Sequence, residues 1–476
     1  MEDEITGKAS TKRSYGKYIA GLVGLLVLVV ALLLSLNDAV ISSESNTTEV
    51  LRNEYVEELE NAAGNIFTGE LRHGRYHGFA TLVYSNQSLY EGYFWRGVRH
   101  GAGVFTTPFF VYEGYFEKDA KSGHGVITFE DGTKYTGYWQ NNRPHGEGKF
   151  TSATGSEKEG NWYEGTLEGI ALVVYADGSV YTGDWYEGLP HGQGEYRSVQ
   201  GFTYIGGFQD GLRHGEGQFF RGGILEYTGS WQYDRRTGFG TYTASDGLRF
   251  EGNWLNDLRH GHGTATYPDS SIYEGYWYED LQHGQGRFRD AVGNWTYEGA
   301  WHQGIKQGQG TLRFDDGSVY TGAFYANQMH GSGSYISAAG WSYEGEFVQG
   351  IREGQGLYTF TAGSTYEGEW LAGVEHGQGT FIDVSGWRYT GSWKNGQKNG
   401  SGTLTYADGS MHSGIFVNNQ PHGHGTRTYH NEYGLYFATY EGNFAYGRRN
   451  GIGTMTYVNG HIISGRWQND DFMEED

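Results

Sequence analysis

Histidine, the residue most often used to bind metals and to transfer protons, recurs in one register along this chain. The histidine column stands just before a Gly-X-Gly motif and comprises His191, His214, His260, His283, His330, His376 and His422. A shared metal ion would need these ligands within a few ångströms of one another. Stacked two-stranded repeats would hold them about 10 Å apart, so we expect each histidine to hydrogen-bond its own loop or pack on an aromatic ring. A pH-responsive column is the alternative.

Glutamate forms a second regular column, which could supply paired carboxylates for glycoside hydrolysis. Its members are Glu91, Glu113, Glu251, Glu274, Glu298, Glu344, Glu367 and Glu441. They recur as equal copies, whereas catalysis needs one distinct partner within a pocket, so we expect a solvated acidic face. The chain has no P-loop, GxSxG or HExxH motif. We therefore predict no catalytic, cofactor-binding or metal-binding residues and no enzymatic activity.

Glycine sets the period that positions these columns. Eighteen glycines recur from Gly69 to Gly465, with a step of 23 residues except for one step each of 22, 24 and 28. Most follow Tyr-Glu or Tyr-Thr and precede an aromatic residue two positions later, as in YEGYF from Tyr90 and YEGEW from Tyr366. A period this strict predicts one supersecondary unit that is stacked many times.

Each repeat has the pattern of a β-hairpin. Tyr135, Gly137 and Trp139 are spaced by two and therefore share one face of a strand. The loop QNNRPH then reverses the chain, a second strand follows, and Asp-Gly turns join successive hairpins. Glycine on the aromatic face leaves room for a ring to lie across the backbone, which is called aromatic rescue. The predicted structural ladder includes Tyr90, Gly92, Tyr135, Gly137, Trp139, Gly183, Gly252, Gly275, Gly322, Gly368, Trp370 and Gly391.

Composition narrows the class of protein. The 81 glycines would suggest disorder, but aromatic residues make up 16% of the chain and keep phase with the glycines. The net charge of −22 argues against nucleic-acid binding, which needs basic surfaces. The chain has no cysteine, so it can form neither a disulfide nor a thiolate site. Composition therefore favours an ordered, acidic repeat array.

The succession of YEGxW, HGxG, an apolar strand and a DG turn resembles the MORN (membrane occupation and recognition nexus) repeat. The resemblance covers residues 67–470 and about eighteen repeats. It implies an all-β array, an elongated, twisted, single-layer antiparallel sheet of stacked hairpins. At about 10 Å per hairpin, the array would reach roughly 160–170 Å before twist and curvature. MORN proteins that are enzymes use a separate domain, and none is left over here, so the resemblance implies scaffolding, membrane association or tethering.

Three positions depart from the repeat. Gly160 follows Lys-Glu instead of Tyr-Glu, and its HGxG motif is replaced by LEGIA from Leu167. Gly414 follows His-Ser, and about five residues are inserted before Gly442. We expect local bulges or bends at these breaks.

The N-terminal segment predicts a membrane anchor. Residues 1–18 form a short basic tail, and residues 19–36 (IAGLVGLLVLVVALLLSL) form an uncharged run about long enough to cross a ~30 Å hydrocarbon core. Basic residues precede the run and acidic residues follow it, so the positive-inside rule places the N-terminus in the cytosol and the repeats on the luminal or extracellular side. A cleaved signal peptide is the alternative.

The segments that flank the array are short. Residues 37–66 are expected to be a juxtamembrane linker or to include a short helix, because Leu51, Tyr55 and Leu59 recur every four residues. Residues 471–476 form an acidic tail. A tail this short leaves the terminal strand edge exposed, so we expect homo-oligomers to form through the terminal strands.

Four sequons fit a luminal or extracellular array. They begin at Asn46, Asn86, Asn294 and Asn399. The last three fall at predicted turns, where a glycan would be tolerated.

A second period of about 46 residues runs through the later half. The residue four places before each ladder glycine alternates between serine and tryptophan, and the tryptophans are Trp295, Trp341 and Trp387. Their parity places them on the aromatic face, about 20 Å apart. They form a candidate interaction strip for protein side chains, phospholipid headgroups or sugar rings, or else they only pack over the turns.

These features predict a membrane-anchored, non-enzymatic scaffold or tether that presents a long rigid β surface to protein partners. The alternative is a lipid- or carbohydrate-binding surface formed by the tryptophan strip. No nucleic-acid partner is expected.

Overall fold

The computed structural model describes residues 53–431 and 433–473, which form 37 β-strands and no helix. The predicted basic tail, the predicted membrane span at 19–36, residues 37–52, the sequon at Asn46 and the last three residues lie outside this part of the chain. Within the described part, no helix has the length and apolarity of a membrane span.

The strands follow one another at short, regular intervals. The first nineteen are β1 (Asn53–Glu60), β2 (Ile66–Arg72), β3 (Arg75–Val83), β4 (Leu89–Trp95), β5 (Val98–Thr106), β6 (Phe110–Glu117), β7 (Ala120–Phe129), β8 (Lys134–Gln140), β9 (Arg143–Thr151), β10 (Glu157–Tyr163), β11 (Thr166–Val174), β12 (Val180–Tyr186), β13 (Leu189–Arg197), β14 (Phe202–Gln209), β15 (Leu212–Arg221), β16 (Ile224–Gln232), β17 (Arg235–Thr243), β18 (Arg249–Leu255) and β19 (Leu258–Thr266). The others are β20 (Ile272–Tyr278), β21 (Leu281–Arg289), β22 (Trp295–His302), β23 (Ile305–Phe314), β24 (Val319–Tyr325), β25 (Gln328–Ile336), β26 (Ser342–Val348), β27 (Ile351–Thr359), β28 (Thr365–Leu371), β29 (Val374–Ile382), β30 (Arg388–Lys394), β31 (Gln397–Thr405), β32 (Met411–Val417), β33 (Gln420–His430), β34 (Tyr436–Ala445), β35 (Arg448–Tyr457), β36 (Ile462–Gln468) and β37 (Asp471–Met473).

Contacts divide the described chain into two compact units, residues 53–107 with 117–119 and residues 108–116 with 120–473. In the first unit, β1 to β5 pair antiparallel in chain order. In the second unit, β7 to β37 do the same. The predicted all-β class and antiparallel stacking of hairpins are confirmed.

The hairpin turns are shorter than the sequence suggested. The expected six-residue loop after Trp139 is a two-residue turn at Asn141 and Asn142, whose φ angles are 49° and 67°. Two positive φ angles define the type I′ turn, which matches the twist of the flanking strands and favours Asn and Asp. His145 therefore lies within β9, and the histidine column as a whole belongs to strands and not to loops.

A bulge explains the first glycine of each HGxG motif. In β20 and β21, the register shifts after Gly275, so that Tyr276 faces His283. Gly284 follows with φ of 61°, in the left-handed region that side chains disfavour. The bulge thus requires glycine at this position.

The short helix allowed for within residues 37–66 is wrong, because Asn53–Glu60 is a strand that pairs with β2. A spacing of four is also a multiple of two, so it places residues on one face of a strand as readily as on one face of a helix. At the other end, the predicted acidic tail begins with the short strand β37. Phe472 of that strand packs against Trp467 at 5.2 Å.

The breaks in the repeat cause less distortion than we expected. β10 and β11 show their register shift directly after Gly160, as in the regular hairpins. The insertion before Gly442 lengthens one hairpin arm, since β33 and β34 have 11 and 10 residues, with one additional irregularity between Tyr429 and His430. The chain thus accommodates the extra residues by lengthening the two paired strands that connect successive hairpins.

Candidate binding groove on the aromatic face

Alternation along each strand gives the hairpins two unlike faces. In β20, Tyr273, Gly275 and Trp277 are buried, whereas Glu274 and Tyr276 are exposed. We call the first side the aromatic face and the second the outer face. The glutamate column lies on the outer face, where most of its members are exposed to solvent.

Ladder tyrosines lie flat across pairs of glycines on the aromatic face. The ring of Tyr273 covers Gly275 and its cross-strand partner Gly286, where an added Cβ would lie 2.6 Å from Cζ of the ring. The hydroxyl of Tyr273 donates to the carbonyl of Tyr276 at 2.9 Å. The ring also meets Trp277 and Trp301 edge to face, at 5.1 and 5.3 Å. The structure places the other predicted ladder residues at equivalent positions.

Burial raises the pKa of several ladder tyrosines, including Tyr135, Tyr297, Tyr320 and Tyr389, each to about 12. Phenolate forms near pH 10 in the unfolded chain, so the folded state binds more protons between pH 10 and 12. We expect stability to be full below pH 10 and to fall as the pH rises through this window. Phenolate absorbance should report these tyrosines only as the hairpins unfold. Their ionisation near pH 10 without loss of β circular dichroism would contradict this.

Cations form a column on the aromatic face that sequence reasoning missed. The guanidinium of Arg259 lies 4.3 Å from the ring centre of Trp277. Its Nε donates to Oδ1 of Asp280 at 2.9 Å, and Nη2 donates to the Asp280 carbonyl at 2.9 Å. The same arrangement joins Arg213 to Trp231 and Asp234, Arg236 to Trp254 and Asp257, and Arg449 to Trp467 and Asp470. An arginine followed 21 residues later by a turn aspartate is the signal that could have revealed it.

Two cavities of about 490 and 400 Å³ form a continuous groove between residues 175 and 280 of this face. They share Arg213, Phe219, Arg221 and Asp234. We call this groove the aromatic groove. Its lining consists of half-buried rings at the turn end of the strands and of groups at the hairpin tips. The rings are Tyr175, Tyr196, Phe202, Phe219 and Tyr242, and the tip groups include Pro190, Arg213, Arg236 and Arg259.

The three tryptophans of the predicted strip are half-buried and stacked against their neighbours. Trp341 lies between Tyr335 and Tyr358, at 5.0 and 5.4 Å with nearly parallel planes. Trp295 stacks on Phe288 at 5.0 Å beneath the Lys306 ammonium, which lies 4.4 Å from the ring centre. Trp387 has the same relation to Phe381 and Lys398. Because each ring already has a packing partner, this arrangement favours the packing interpretation of the strip.

The strip occupies the column that Leu225 and Leu248 hold beside the aromatic groove, four places before a ladder glycine. Leu248 lines the 400 Å³ cavity. Phe202 stands in the same column and stacks on Phe219 at 5.5 Å, as the tryptophans stack on their neighbours in the later hairpins. The smaller side chains Leu225 and Leu248 leave this place open in the two hairpins that follow Phe202.

Serine turns connect hairpins in pairs. Ser318 donates its hydroxyl to Asp316 within its own turn and accepts a hydrogen bond from the backbone NH of Ala338, in the turn before Trp341, at 3.0 Å. Ser364 and Ser410 accept equivalent bonds from Val384 and His430. Ser179 accepts one from Val199, in the turn before Phe202. The 46-residue period therefore has a physical link, and it reaches the earlier half at one pair.

Most members of the histidine column pack on neighbouring rings. His260 lies 5.3 Å from Tyr278, His330 lies 5.6 Å from Tyr325, and His283 lies 5.1 Å from His302. Within residues 53–431 and 433–473, no group of three or more His, Asp or Glu side chains could hold a metal ion. The ring contacts match the packing expectation.

His412 is the one ladder position in the described chain that holds a buried histidine. Its ring meets Phe416 and Phe444 edge to face, at 5.3 and 4.5 Å. Neither ring nitrogen has a hydrogen-bond partner. Burial, with a smaller contribution from the Arg427 charge, lowers the pKa of His412 to about 4. A polar side chain thus interrupts the column of buried rings at this point.

The three sequons within the described chain differ in setting. Asn86 and Asn294 are exposed in turns, as predicted. Asn399 lies half-buried within β31, so its predicted turn position is wrong. β31 begins directly after a two-residue turn, so Asn399 lies in the strand and not in a loop.

Comparison with known proteins identifies the repeat. The MORN repeat profile matches residues 67–89, 90–108, 112–134, 135–157, 181–203, 204–223, 227–249, 250–272, 273–295, 297–319, 320–342, 343–365, 366–388, 389–411, 412–432 and 440–462. These matches leave out the Gly160 hairpin, where Lys158 replaces the ladder aromatic residue and Ala171 replaces the second glycine. No curated protein matches the chain.

Two solved structures show weak similarity. The TCP domain of SAS-4 from Drosophila melanogaster has 13% identity and a TM-score of 0.22, over 40% of this chain and 97% of that one. The TCP10 domain of CPAP from Danio rerio has 11% identity and a TM-score of 0.17, over 50% of this chain and 95% of that one. Scores this low carry no argument about this chain. The family profile covers well over half of the sequence, and the protein therefore belongs to the MORN repeat family.

Proposed function

We propose that this protein is a membrane-anchored, non-enzymatic scaffold that holds protein partners along its hairpin array. MORN repeats from residue 67 to 462 support the scaffold, and the charge-free run at residues 19–36 supports the anchor. Contact with phospholipid and self-association through the terminal strands are further parts of this proposal.

The observation that carries the scaffold is an exposed apolar row at the hairpin tips of the outer face. Its members are the cross-strand pairs Leu255 and Leu258, Tyr278 and Leu281, Val348 and Ile351, and Leu371 and Val374. Each of these side chains is at least 38% exposed. Contiguous exposed apolar surface of this kind marks protein interfaces. Repetition of these pairs at four hairpins suits the attachment of several partners.

Photo-crosslinking tests the scaffold. A photoreactive amino acid placed at Leu255 or Leu371 of the full chain should give protein adducts in cells. These positions are five hairpins apart, so a scaffold should give adducts from both. The same amino acid at buried Trp277 is the matched control and should give none. Absence of adducts from both exposed positions would contradict the proposal.

Deletion of residues 19–36 tests the anchor. We expect the deleted protein to move from the membrane pellet to the soluble fraction, because it loses its apolar run. Fractionation followed by alkaline carbonate extraction measures this. Continued resistance to extraction would disprove anchoring by this segment. Glycosidase sensitivity at Asn86 and Asn294 would decide the orientation.

The tryptophan strip gives the alternative function little support, because stacked neighbours cover its rings. We expect the triple substitution of Trp295, Trp341 and Trp387 by Ala to lower stability. Loss of lipid or sugar retention with unchanged stability would instead favour a lipid- or carbohydrate-binding surface.

A further inference from the structure

We propose that the aromatic groove binds a proline-rich peptide segment in the polyproline II conformation, which runs across the strands from hairpin to hairpin. This inference rests on the proposed function as a protein scaffold and names the ligand class of one surface.

The spacing of the groove selects the conformation of the peptide. Strands lie about 4.8 Å apart, so equivalent rings such as Tyr196, Phe219 and Tyr242 recur about every 9.6 Å along the groove. A polyproline II helix presents the same face every three residues, or about 9.3 Å, and loses only about 0.3 Å of register per hairpin. A β-strand repeats its face every ~6.6 Å and a helix every ~10.5 Å over two turns, so both lose register faster.

The charges of the groove select an uncharged ligand. Four arginines line the two cavities, and each is paired with a carboxylate that also lines them. The pairs are Arg213 with Asp234 at 2.9 Å, Arg221 with Glu226 at 2.6 Å, Arg236 with Asp257 at 3.3 Å and Arg259 with Asp280 at 2.9 Å. The lining therefore offers no excess charge to a charged side chain. Proline carries neither a charge nor a backbone NH that would need an acceptor.

The surface chemistry of the groove fits this ligand. Half-buried rings give flat apolar surface against which pyrrolidine rings can pack. The carbonyls of a polyproline II helix make no internal hydrogen bonds, so they need donors. Tyr196 and Tyr242 line the groove at equivalent positions, and a tyrosine hydroxyl can donate a hydrogen bond to such a carbonyl.

The chain itself shows what fills this column when no peptide does. Trp295 lies against Phe288 and beneath Lys306, and Leu312 is the cross-strand partner of Tyr297, two residues further along the strand of Trp295. Leu248 has Tyr242, Arg259 and Ala265 at the same three relative positions. A tryptophan at position 248 therefore has a native precedent and would occupy the groove. Leu248→Trp blocks the site without a new kind of packing.

The test uses the full chain in detergent micelles and a fluorescein-labelled peptide of ten prolines, which at about 3.1 Å per residue spans about three hairpins. Fluorescence anisotropy should show saturable binding, and a Gly-Ser peptide of equal length should bind at least about tenfold more weakly. Leu248→Trp should weaken binding of the proline peptide at least about tenfold. Tyr276→Ser, on the outer face, is the control and should leave binding unchanged.

Trp341→Leu provides the converse experiment. Removal of this ring opens the corresponding place between Tyr335 and Tyr358, so a second proline peptide should bind per chain. This variant decides the matter if Leu248→Trp fails to fold, as judged by thermal unfolding. The proposal is overturned if the wild-type chain shows no saturable binding, if Leu248→Trp folds and binds equally well, if Tyr276→Ser weakens binding, or if Trp341→Leu adds no site. Crosslinks from Leu255 and Leu371 with no proline-peptide binding would overturn this inference alone and leave the scaffold standing.

Discussion

Gly286→Ala should destabilise the central hairpins by about 3 kcal/mol, near the upper end for overpacking in a closely packed region. The new Cβ would lie 2.6 Å from Cζ and from Cε2 of the Tyr273 ring, so the ring must leave the glycine pair. Gly286 has no positive φ, so the clash and not the backbone causes the loss. Urea unfolding followed by tryptophan fluorescence would measure it. Because each hairpin contacts only its neighbours, hydrogen exchange should increase mainly in β20 to β22.

The same substitution should cost little where no ring covers the glycine. The Gly160 hairpin gives a native precedent, since Lys158 stands at its ladder position and Ala171 at the second glycine. Gly286→Ala should therefore be nearly neutral in a Tyr273→Leu background. A double-mutant cycle between Tyr273 and Gly286 measures this coupling. Equal costs in the two backgrounds would show that the ring does not determine the requirement for glycine.

His412→Tyr should stabilise the C-terminal hairpins at acid pH by about 3 kcal/mol, relative to its effect at neutral pH. The unfolded chain takes up a proton on His412 near the ordinary value of 6.5, but the folded state does so only near pH 4. The unfolded state therefore binds more protons in this window. The wild-type contribution is complete above pH 6.5 and is lost as the pH falls towards 4. Tyrosine removes this dependence and restores the ring that most ladder positions carry.

Thermal unfolding at pH 7 and pH 4.5 would measure the difference between the two proteins. Carboxylates titrate over the same range in both chains, so the variant must be compared with wild type at each pH. His422→Tyr is a matched control, because His422 is exposed on the second strand of the same hairpin. An equal fall in stability for wild type and His412→Tyr would contradict the assignment of this pH dependence to His412.

The period of the sequence reveals the hairpins because one residue type does one task at every repeat. Gly275 and Tyr273 can be recognised in sequence, since a ring and a glycine on one strand face need each other to pack. Turn length was harder to predict. Asn141 and Asn142 form the whole turn. The proline and glycine that follow suggested a longer loop, but this glycine belongs to a bulge in the second strand.

The groove could not be predicted, because it depends on side chains that are too small to fill it. Leu248 and Trp295 are both apolar residues in one column, and only their packing shows that one leaves space and the other occupies it. The cation column could not be predicted for a different reason. Its positions also hold Pro190, Gln282 and Met329, so it lacks the strict repetition of the glycines.

The hydrogen bond that Ser318 accepts from the turn before Trp341 limits how the array can change its number of hairpins. Loss of a single hairpin in this region would bring two turns of the same kind together, and one serine hydroxyl would lose its acceptor role. Loss or duplication of two hairpins would preserve the alternation. The later half of the array should therefore gain and lose length in steps of 46 residues, and natural length variants should differ there by even numbers of hairpins.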